Sequence, residues 1–227
     1  MSSNATSKIT LAVIGGTGKE GSGLALRWAN AGYDVIIGSR ESSKAENAAA
    51  EINQQLGQNS VRGMENRQAA AQASMIVLTV PYSAHRSTLE TIHEAAQGKL
   101  LVDVTVPIKP PVTQVHLADS GSSAAQETQE ILGPNVRVVS AFQNVSAVHL
   151  KELDHPVECD VLITGDDVAS KDEVMRLAKA AGMRGIDAGP LINAVAAETL
   201  TPVILWINKR YGIKGAGIVI TGLDQGG

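Results

Sequence analysis

Seven residues near the start of the chain, Gly15-Gly16-Thr17-Gly18-Lys19-Glu20-Gly21, have the composition and spacing of a turn that cradles phosphate. Glycines allow a tight reversal with close backbone approach, and a helix opening just after them aims free N–H groups and its positive dipole end at an anion. Further on the chain reads Gly38-Ser39-Arg40, where a carboxylate would otherwise stand to accept hydrogen bonds from both hydroxyls of an adenosine ribose. A guanidinium fork instead matches a phosphate in bidentate fashion, and the Ser39 hydroxyl adds a donor. Lys44, in the next helix, supplies a third contact. The pattern therefore predicts NADP(H) in preference to NAD(H). The plainer alternative is a structural turn, with Ser39 and Arg40 as the solvated end of a strand.

The elements that would position these residues follow from hydrophobic pattern. Ile9 to Ile14 reads as a buried strand, Ser22 to Ala31 as a helix and Val35 to Ile37 as a second strand. A helix over Ser42 to Leu56, a short strand over Val61 to Met64 and a helix over Asn66 to Ala73 continue the alternation. Met75 to Val80 and Leu100 to Thr105 read as buried parallel strands stopped by Pro81 and Pro107, with a helix over Ser87 to Ala96 between them. After a Pro-, Ser- and Gly-rich loop from Ile108 to Ser123 come a helix, Ala124 to Leu132, and a sixth strand, Val136 to Ala141. Strands alternating with helices predict an α/β fold with a Rossmann-type doubly wound parallel sheet and right-handed crossovers.

The last third differs in texture and is expected to form a smaller C-terminal α/β domain. Residues 8–150 are assigned to the nucleotide-binding domain and residues 151–227 to this second one. It reads as a strand over Asp160 to Thr164, a helix over Ser170 to Ala181, an extended piece over Gly185 to Ala188, and a long apolar stretch from Pro190 to Tyr211. Apolar residues on nearly every side of that stretch, among them Ile192, Val195, Leu200, Val203 and Ile207, exceed what one core face accounts for. A homodimer is the expectation, with a fully enclosed helix as the alternative.

Composition narrows the function classes. With 44% hydrophobic and 19% charged residues over 227 positions, a sizeable core is expected. A net charge of −4 gives no broad basic surface, and the aromatic residues are limited to Phe142, Trp28, Trp206, Tyr33, Tyr82 and Tyr211, so nucleic acid is disfavoured. The single cysteine, Cys159, excludes an intrachain disulfide and a cysteine-rich zinc site, which suits a reducing compartment. Met1 to Ser7 lacks the basic start and apolar core of a signal peptide. The greasiest late stretch, Leu200 to Ile207, reads as too short for a bilayer and contains Pro202, so no membrane span is expected and the cytoplasm is the expected location.

Other side chains of the sequence are of types that could do chemistry. His85 follows a strand end and could approach a nicotinamide carboxamide, or be an ordinary loop histidine. Asp103 inside an apolar strand is either a tuned acid or a group that bonds backbone amides. His93, His116, His149 and His155 have no partners at metal spacing, and Asp166-Asp167 reads as a helix-initiating turn, so no metal is expected. Glu198 and Asn193 in the apolar stretch read as hydrogen-bonding groups at an interface. No catalytic side chain is assigned.

Taken together, Gly15-Gly16-Thr17-Gly18 with Gly21 and Gly23-Leu24-Ala25, Ile37-Gly38-Ser39-Arg40 with Lys44, Ser140 to Ala147, Gly165-Asp166-Asp167, Asp187 to Leu191 and Gly215-Ala216-Gly217-Ile218 resemble the NADPH-dependent reductases of coenzyme F420, over nearly the whole chain from Lys8 to Leu223. The resemblance implies hydride transfer between NADP(H) and this deazaflavin. It implies that Gly16, Thr17, Gly18, Lys19, Glu20 and Gly21 lie along the pyrophosphate, and that Ser39, Arg40 and Lys44 hold the ribose phosphate. It further implies that Val80, Pro81, Val104, Val106 and Ala141 border the ribose and nicotinamide, with the deazaflavin near Phe142 to Val145 and Ala216. Some relatives carry a histidine where this chain has Ala84, with His85 one place later. Hydride transfer of this kind needs stacking, distance and exclusion of water more than acid or base side chains. A reductase of a small imine, carbonyl or metal-bound substrate is the enzymatic alternative, and a non-catalytic NADP(H)-sensing module a third reading.

Overall fold

The computed structural model describes residues 9–223. Met1 to Lys8 and Asp224 to Gly227, on which parts of the signal-peptide and domain expectations fall, lie outside the described residues. Six parallel strands, β1 (Thr10–Ile14), β2 (Asp34–Ser39), β3 (Val61–Glu65), β4 (Met75–Leu78), β5 (Leu100–Asp103) and β6 (Arg137–Ser140), lie in the order β3-β2-β1-β4-β5-β6. Ligands of such a sheet bind beyond the carboxyl ends of the strands, where the order switches between β1 and β4. Crossover helices α1 (Lys19–Asn30), α2 (Ser42–Leu56), α3 (Asn66–Gln72), α4 (Tyr82–Ala96) and α5 (Ala124–Leu132) complete this part.

The sheet does not end there. After a short helix α6 (Ala147–Leu150), strand β7 (Asp160–Gly165) lies antiparallel on β6, and β8 (Arg184–Asp187) lies parallel to β7 beyond α7 (Val168–Ala180). Only Val139↔Gly165 and Ser140↔Thr164 pair across the β6–β7 seam, and the sheet thereby runs across residue 150.

Valine, isoleucine and leucine fill both faces of the central strands, as a sheet covered on each side requires. Leu11, Val13, Val35, Val77 and Val102 pack into one cluster with Leu24 and Trp28 of α1, and Ala12, Ile14, Ile76, Leu78 and Leu101 into another with Leu89 and Ile92 of α4. Two side chains of α1 bind the C-terminal third to this frame. Trp28 Nε1 donates to Leu177 O at 3.0 Å. The buried Arg27 guanidinium donates to Leu150 O and His149 O at 2.9 Å each, to Glu152 O at 2.9 Å, to Ala181 O at 3.0 Å and to His155 O at 3.3 Å.

The final helix corrects one expectation. A short 3-10 turn, Leu191–Asn193, runs on into α8 (Ala194–Tyr211), and the combined run of 21 residues is long and apolar enough to cross a membrane by length and composition. Pro202 lies inside this helix, and the apolar run is longer than the Leu200 to Ile207 stretch on which no membrane span was expected. The missing ladder bond costs about 3 kcal/mol, and it is offset by burial of Ala194, Ala197, Pro202 and Ile204 on the inner side. Val203 and Trp206 on the same helix are exposed by 44% and 54%, so part of the apolar surface has no partner among the described residues.

Candidate functional site

The glycine run forms a tight turn between β1 and α1. Gly15 takes φ +78°, in the left-handed region, and its N–H donates to Gly38 O at 3.0 Å. Gly16 N–H donates to Val13 O at 3.2 Å and Gly18 N–H to Gly15 O at 3.0 Å. The first helical bond of α1 runs from Ser22 N–H to Gly18 O, so the amides of Lys19, Glu20 and Gly21 precede the helical ladder. Gly18 caps the helix without a side chain, leaving those amides to a ligand at the positive end of the dipole. A Cβ on Gly15 would stand 2.7 Å from Val80 Cγ1, and one on Gly16 2.8 Å from Val13 O. One on Gly21 would collide with Thr79 Oγ1 and Gly16 Cα, which is how closely α1 sits on the end of β4.

Beyond β2, Ser39 is buried while Arg40 is exposed and makes no hydrogen bond or ion pair among the described residues. Lys44 stands one turn into α2, paired with Glu41 at 2.6 Å; both side chains are more than half exposed. Such a surface pair contributes at most about 1 kcal/mol, so Lys44 exchanges partners at little cost.

The strand ends are drawn into one row by backbone bonds from Thr79 N to Ile14 O at 2.8 Å, Val104 N to Leu78 O at 3.0 Å and Ala141 N to Asp103 O at 3.1 Å. Val80, Val104 and Ala141 are buried along this row, Val106 is half-buried, and Pro81 caps α4 from an exposed position. Pro81 also starts α4 at Tyr82 rather than at Ser87, so His85 is a helical residue and not a loop one.

Directly after β6, Phe142 takes φ +74°, the one non-glycine residue with positive φ among those described. Its ring packs edge-on against Trp28 with centroids 5.7 Å apart. Such a conformation costs about 1–2 kcal/mol and persists where the surroundings enforce it, commonly at a functional site. The turn brings the Gln143 amide back, so that its nitrogen donates to Asp103 O at 2.7 Å and Ser140 Oγ at 2.8 Å, both hydrogens being used. Gln143 Oε1 is then buried without a partner, as are Thr105 Oγ1, Asn144 Oδ1 and Glu20 Oε1. All four belong to segments leaving the carboxyl ends of β1, β5 and β6. Unmet buried polar atoms cost about 1–3 kcal/mol each. Others lie elsewhere, on Ser60, Asn66 and Arg184 for example, but these four stand where a ligand rich in donors and acceptors would meet them. Neither Phe142 nor Gln143 was assigned an individual role from sequence, since only the left-handed turn reveals how they cooperate.

Glu20 adds an electrostatic feature. Burial, with no charged neighbour to oppose it, pushes its carboxyl up to about 8. A group protonated more readily in the fold than in the unfolded chain lowers stability as pH rises from the ordinary glutamate value of 4.5 to about 8. Glu20→Gln is therefore expected to raise the thermal midpoint at pH 9 by roughly 3 °C. Near pH 4 it should leave the midpoint unchanged, and unfolding curves at the two pH values check both.

Ala216 lies elsewhere on the same side of the molecule. Its N–H donates to Asn208 Oδ1 at 3.0 Å, and with Ser146, His149, Cys159, Gly215 and Gly217 it lines a cavity of about 320 Å³. Asn144 Nδ2 reaches the same region, donating to Asp160 O at 2.6 Å and Cys159 Sγ at 3.2 Å. No hydrogen bond joins Ala216 to the glycine turn among the described residues.

The remaining candidates resolve as follows. Asp103 accepts from Thr105 N at 2.8 Å and Thr128 Oγ1 at 2.5 Å and lies 3.1 Å from His85 Nε2; neither member of this pair is more than 1% exposed. Glu198, read from sequence as an interface group, instead accepts from Ala124 N at 2.8 Å and Ala125 N at 3.1 Å of its own chain, opening α5; burial raises its carboxyl to about 8. Asn193 likewise bonds within the chain, to Ala188 O at 2.9 Å. Asp167 caps α7 by accepting from Ser170 N at 2.8 Å, the helix-initiating turn expected of it.

Comparison with known proteins bears on this arrangement. The family model described as NADP oxidoreductase coenzyme F420-dependent matches residues 10–107. The F420-dependent NADP reductase of Methanothermobacter thermautotrophicus is 41% identical over 222 residues, 95% of this chain and 96% of that protein. That of Methanocaldococcus jannaschii is 39% identical over 223 residues, 94% and 99% of the two chains. A crystal structure from Arthrobacter sp. fb24, described as a candidate F420 dependent NADP-reductase, superposes with a TM-score of 0.78 at 27% identity, covering 94% of this chain and 99% of its own.

Proposed function

The chain belongs to the family of coenzyme F420-dependent NADP oxidoreductases, and from that premise we infer how its residues serve hydride transfer between NADP(H) and F420, the reaction of this oxidoreductase. NADP(H) lies along the carboxyl edge of the sheet. The amides and small side chains of Gly16 to Gly21 receive the pyrophosphate, and Ser39, Arg40 and Lys44 receive the phosphate on the adenosine ribose. The observation that carries this reading is Arg40: an exposed guanidinium without a partner among the described residues, one residue past a buried serine, where no carboxylate ends β2. Val80, Pro81, Val104, Val106 and Ala141 border the nicotinamide end and keep water from it.

The two cofactors bring both reacting carbons, so the protein's part is distance, orientation and dryness. Gln143, locked by two hydrogen bonds, and Asn144, locked on Asp160, offer carbonyl oxygens near the deazaflavin, and Ala216 with the cavity beside it receives that acceptor. Residues 8–150 act as the nucleotide-binding unit, and residues 151–227 contribute to the acceptor site. The enzyme works in the cytoplasm as a homodimer off the membrane, the outward face of α8 meeting a second copy. The exposure of Val203 and Trp206 supports this, as does the anchoring of Glu198 on α5, which ties the helix to its own chain.

Purified protein mixed with NADPH and oxidised F420 is expected to bleach the deazaflavin's visible absorbance, with free flavin left oxidised as the control. No loss of absorbance at high enzyme concentration overturns the assignment.

A further inference from the structure

Behind the strand ends lies a buried polar cluster that the reaction as described does not use. Asp103, the last residue of β5, joins three neighbouring segments. Its carboxylate takes Thr105 N at 2.8 Å from its own outgoing loop, Thr128 Oγ1 at 2.5 Å from α5, and stands 3.1 Å from His85 Nε2 of α4. Its backbone oxygen takes Ala141 N at 3.1 Å and Gln143 Nε2 at 2.7 Å from the turn after β6. His85 Nε2 also lies 2.8 Å from Thr128 Oγ1, whose one hydrogen is committed to Asp103, so the imidazole nitrogen must be the donor there. On the far side His85 Nδ1 is buried without a hydrogen-bond partner among the described residues, and Glu127 Oε2 stands 4.0 Å from it, within reach of its charge only. Glu127 in turn accepts from Tyr82 Oη at 2.9 Å and from Ser120 N at 2.9 Å, while Tyr82 Oη accepts from Asp119 N at 2.6 Å. The cluster thus reaches from the inner row of strand ends to the returning end of the loop that leaves β5.

We propose that His85 and Asp103 form a positioning unit for the hydride-transfer site, holding the ends of β4, β5 and β6 and the 119–120 end of the loop after β5 in one arrangement through the charge on His85. This rests on the reading above that Val104, Val106 and Ala141 border the nicotinamide.

A buried carboxylate beside a second one is unstable without a compensating cation, and His85 stands between the two. Burial alone would lower the His85 pKa, and Arg86 on its own helix opposes the charge as well. The charge of Asp103, its hydrogen bond and the charge of Glu127 outweigh both, and His85 is held above its ordinary value of 6.5. On Asp103, burial works to raise the pKa, and the charge and hydrogen bond of His85 with the bonds from Thr128 and Thr105 N overcome it and lower it. The cluster's contribution is therefore complete between about pH 3.8 and pH 6.5, disappears as pH rises through the raised histidine value, and is lost at the acid end as pH falls through the lowered Asp103 value. Loss of that charge leaves the carboxyls of Asp103 and Glu127 on either side of a neutral ring, with the Glu198 carboxyl of α8 close enough to feel both.

The test compares wild type with His85→Gln, which keeps a donor at Nε2 without a titrating charge, and with Glu127→Gln. Wild-type kcat is expected to fall about ten-fold as pH rises through the histidine's folded value, the scale of a small misplacement of reacting atoms, with the NADPH dissociation constant little changed. His85→Gln should show the low kcat at every pH and lose this inflection. Glu127→Gln should move the inflection, and the His85 ring titration followed by NMR, to lower pH together. A His85→Gln profile parallel to that of wild type overturns the proposal, even if the variant melts earlier, as does a ring titration that Glu127→Gln leaves in place. Should His85→Gln fail to fold, Glu127→Gln alone decides through the same two readouts. Ala141→Leu probes the underlying placement separately: unchanged kcat there overturns the nicotinamide siting, and the positioning role with it, whatever the pH profiles show.

Discussion

The NADPH dissociation constant is expected to rise about 30- to 150-fold when Arg40 is replaced by alanine, which corresponds to about 2–3 kcal/mol for a charge-assisted contact to phosphate. Binding of NADH should stay within about two-fold of wild type, because the guanidinium has nothing to meet on an unphosphorylated ribose. Arg40 is suited to so clean an effect. It is exposed and bonded to no described residue, so its removal takes nothing from the fold. Lys44 softens the loss, since its pairing with Glu41 is easily exchanged. Titration of intrinsic NADPH fluorescence against both proteins, with NADH in parallel, gives the four constants. Equal weakening of both cofactors would make Arg40 a structural residue and remove the ground for preferring NADP(H).

Arg27→Ala should be the most damaging single change to stability. The side chain is buried at 6% exposure, and its donors serve five backbone carbonyls spread over residues 149 to 181. Burial lowers its pKa and the charge of Glu152 raises it, but a guanidinium stays protonated in either case. Truncation strands those carbonyls and leaves a void, at a cost of about 3–5 kcal/mol. For a chain of this length that is a fall of roughly 10 °C in the thermal midpoint. Affinity for NADPH, measured well below the transition, should change little, because the glycine turn sits at the opposite end of α1. A midpoint within about 2 °C of wild type would mean that the segment after β6 is held by other contacts.

What could be read from sequence was the part set by local rules. The glycine turn, the missing carboxylate after β2 and the order of strands and helices are properties of short windows, where residue type dictates backbone conformation and periodicity dictates burial. Most errors lay at helix starts: α1 begins at Lys19 and α4 at Tyr82, because glycine and proline at those junctions already hold the chain for helix entry. Helix α6 was missed altogether, being a single turn with one buried residue, Leu150, that seats against Gly23. The left-handed turn at Phe142 could not be foreseen, since that residue type disfavours it and only the packing against Trp28 enforces it. Nor could the partners of Arg27 and Asp103, which lie as many as 154 positions away along the chain. Pro202 stays within the long stretch read from Pro190 to Tyr211 because burial on one side of α8 outweighs the local rule against proline in helices.

The seam between β6 and β7 has a consequence for how such enzymes diversify. Only two residue pairs join β7 to β6, and the rest of the attachment is side-chain packing and bonding: Arg27 and Trp28 of α1, Glu198 on the opening of α5, Thr201 on Gln143 O, and Val161, Ile163 and Leu177 in the core shared with α1. The row of parallel strand ends proposed above to receive the dinucleotide has all six of its strands by Ser140, before the chain reverses direction. A lineage can therefore exchange β7, β8 and their helices and receive a different electron acceptor while keeping the six parallel strands, provided the newcomer satisfies the groups left behind at the seam, Arg27 and Trp28 among them.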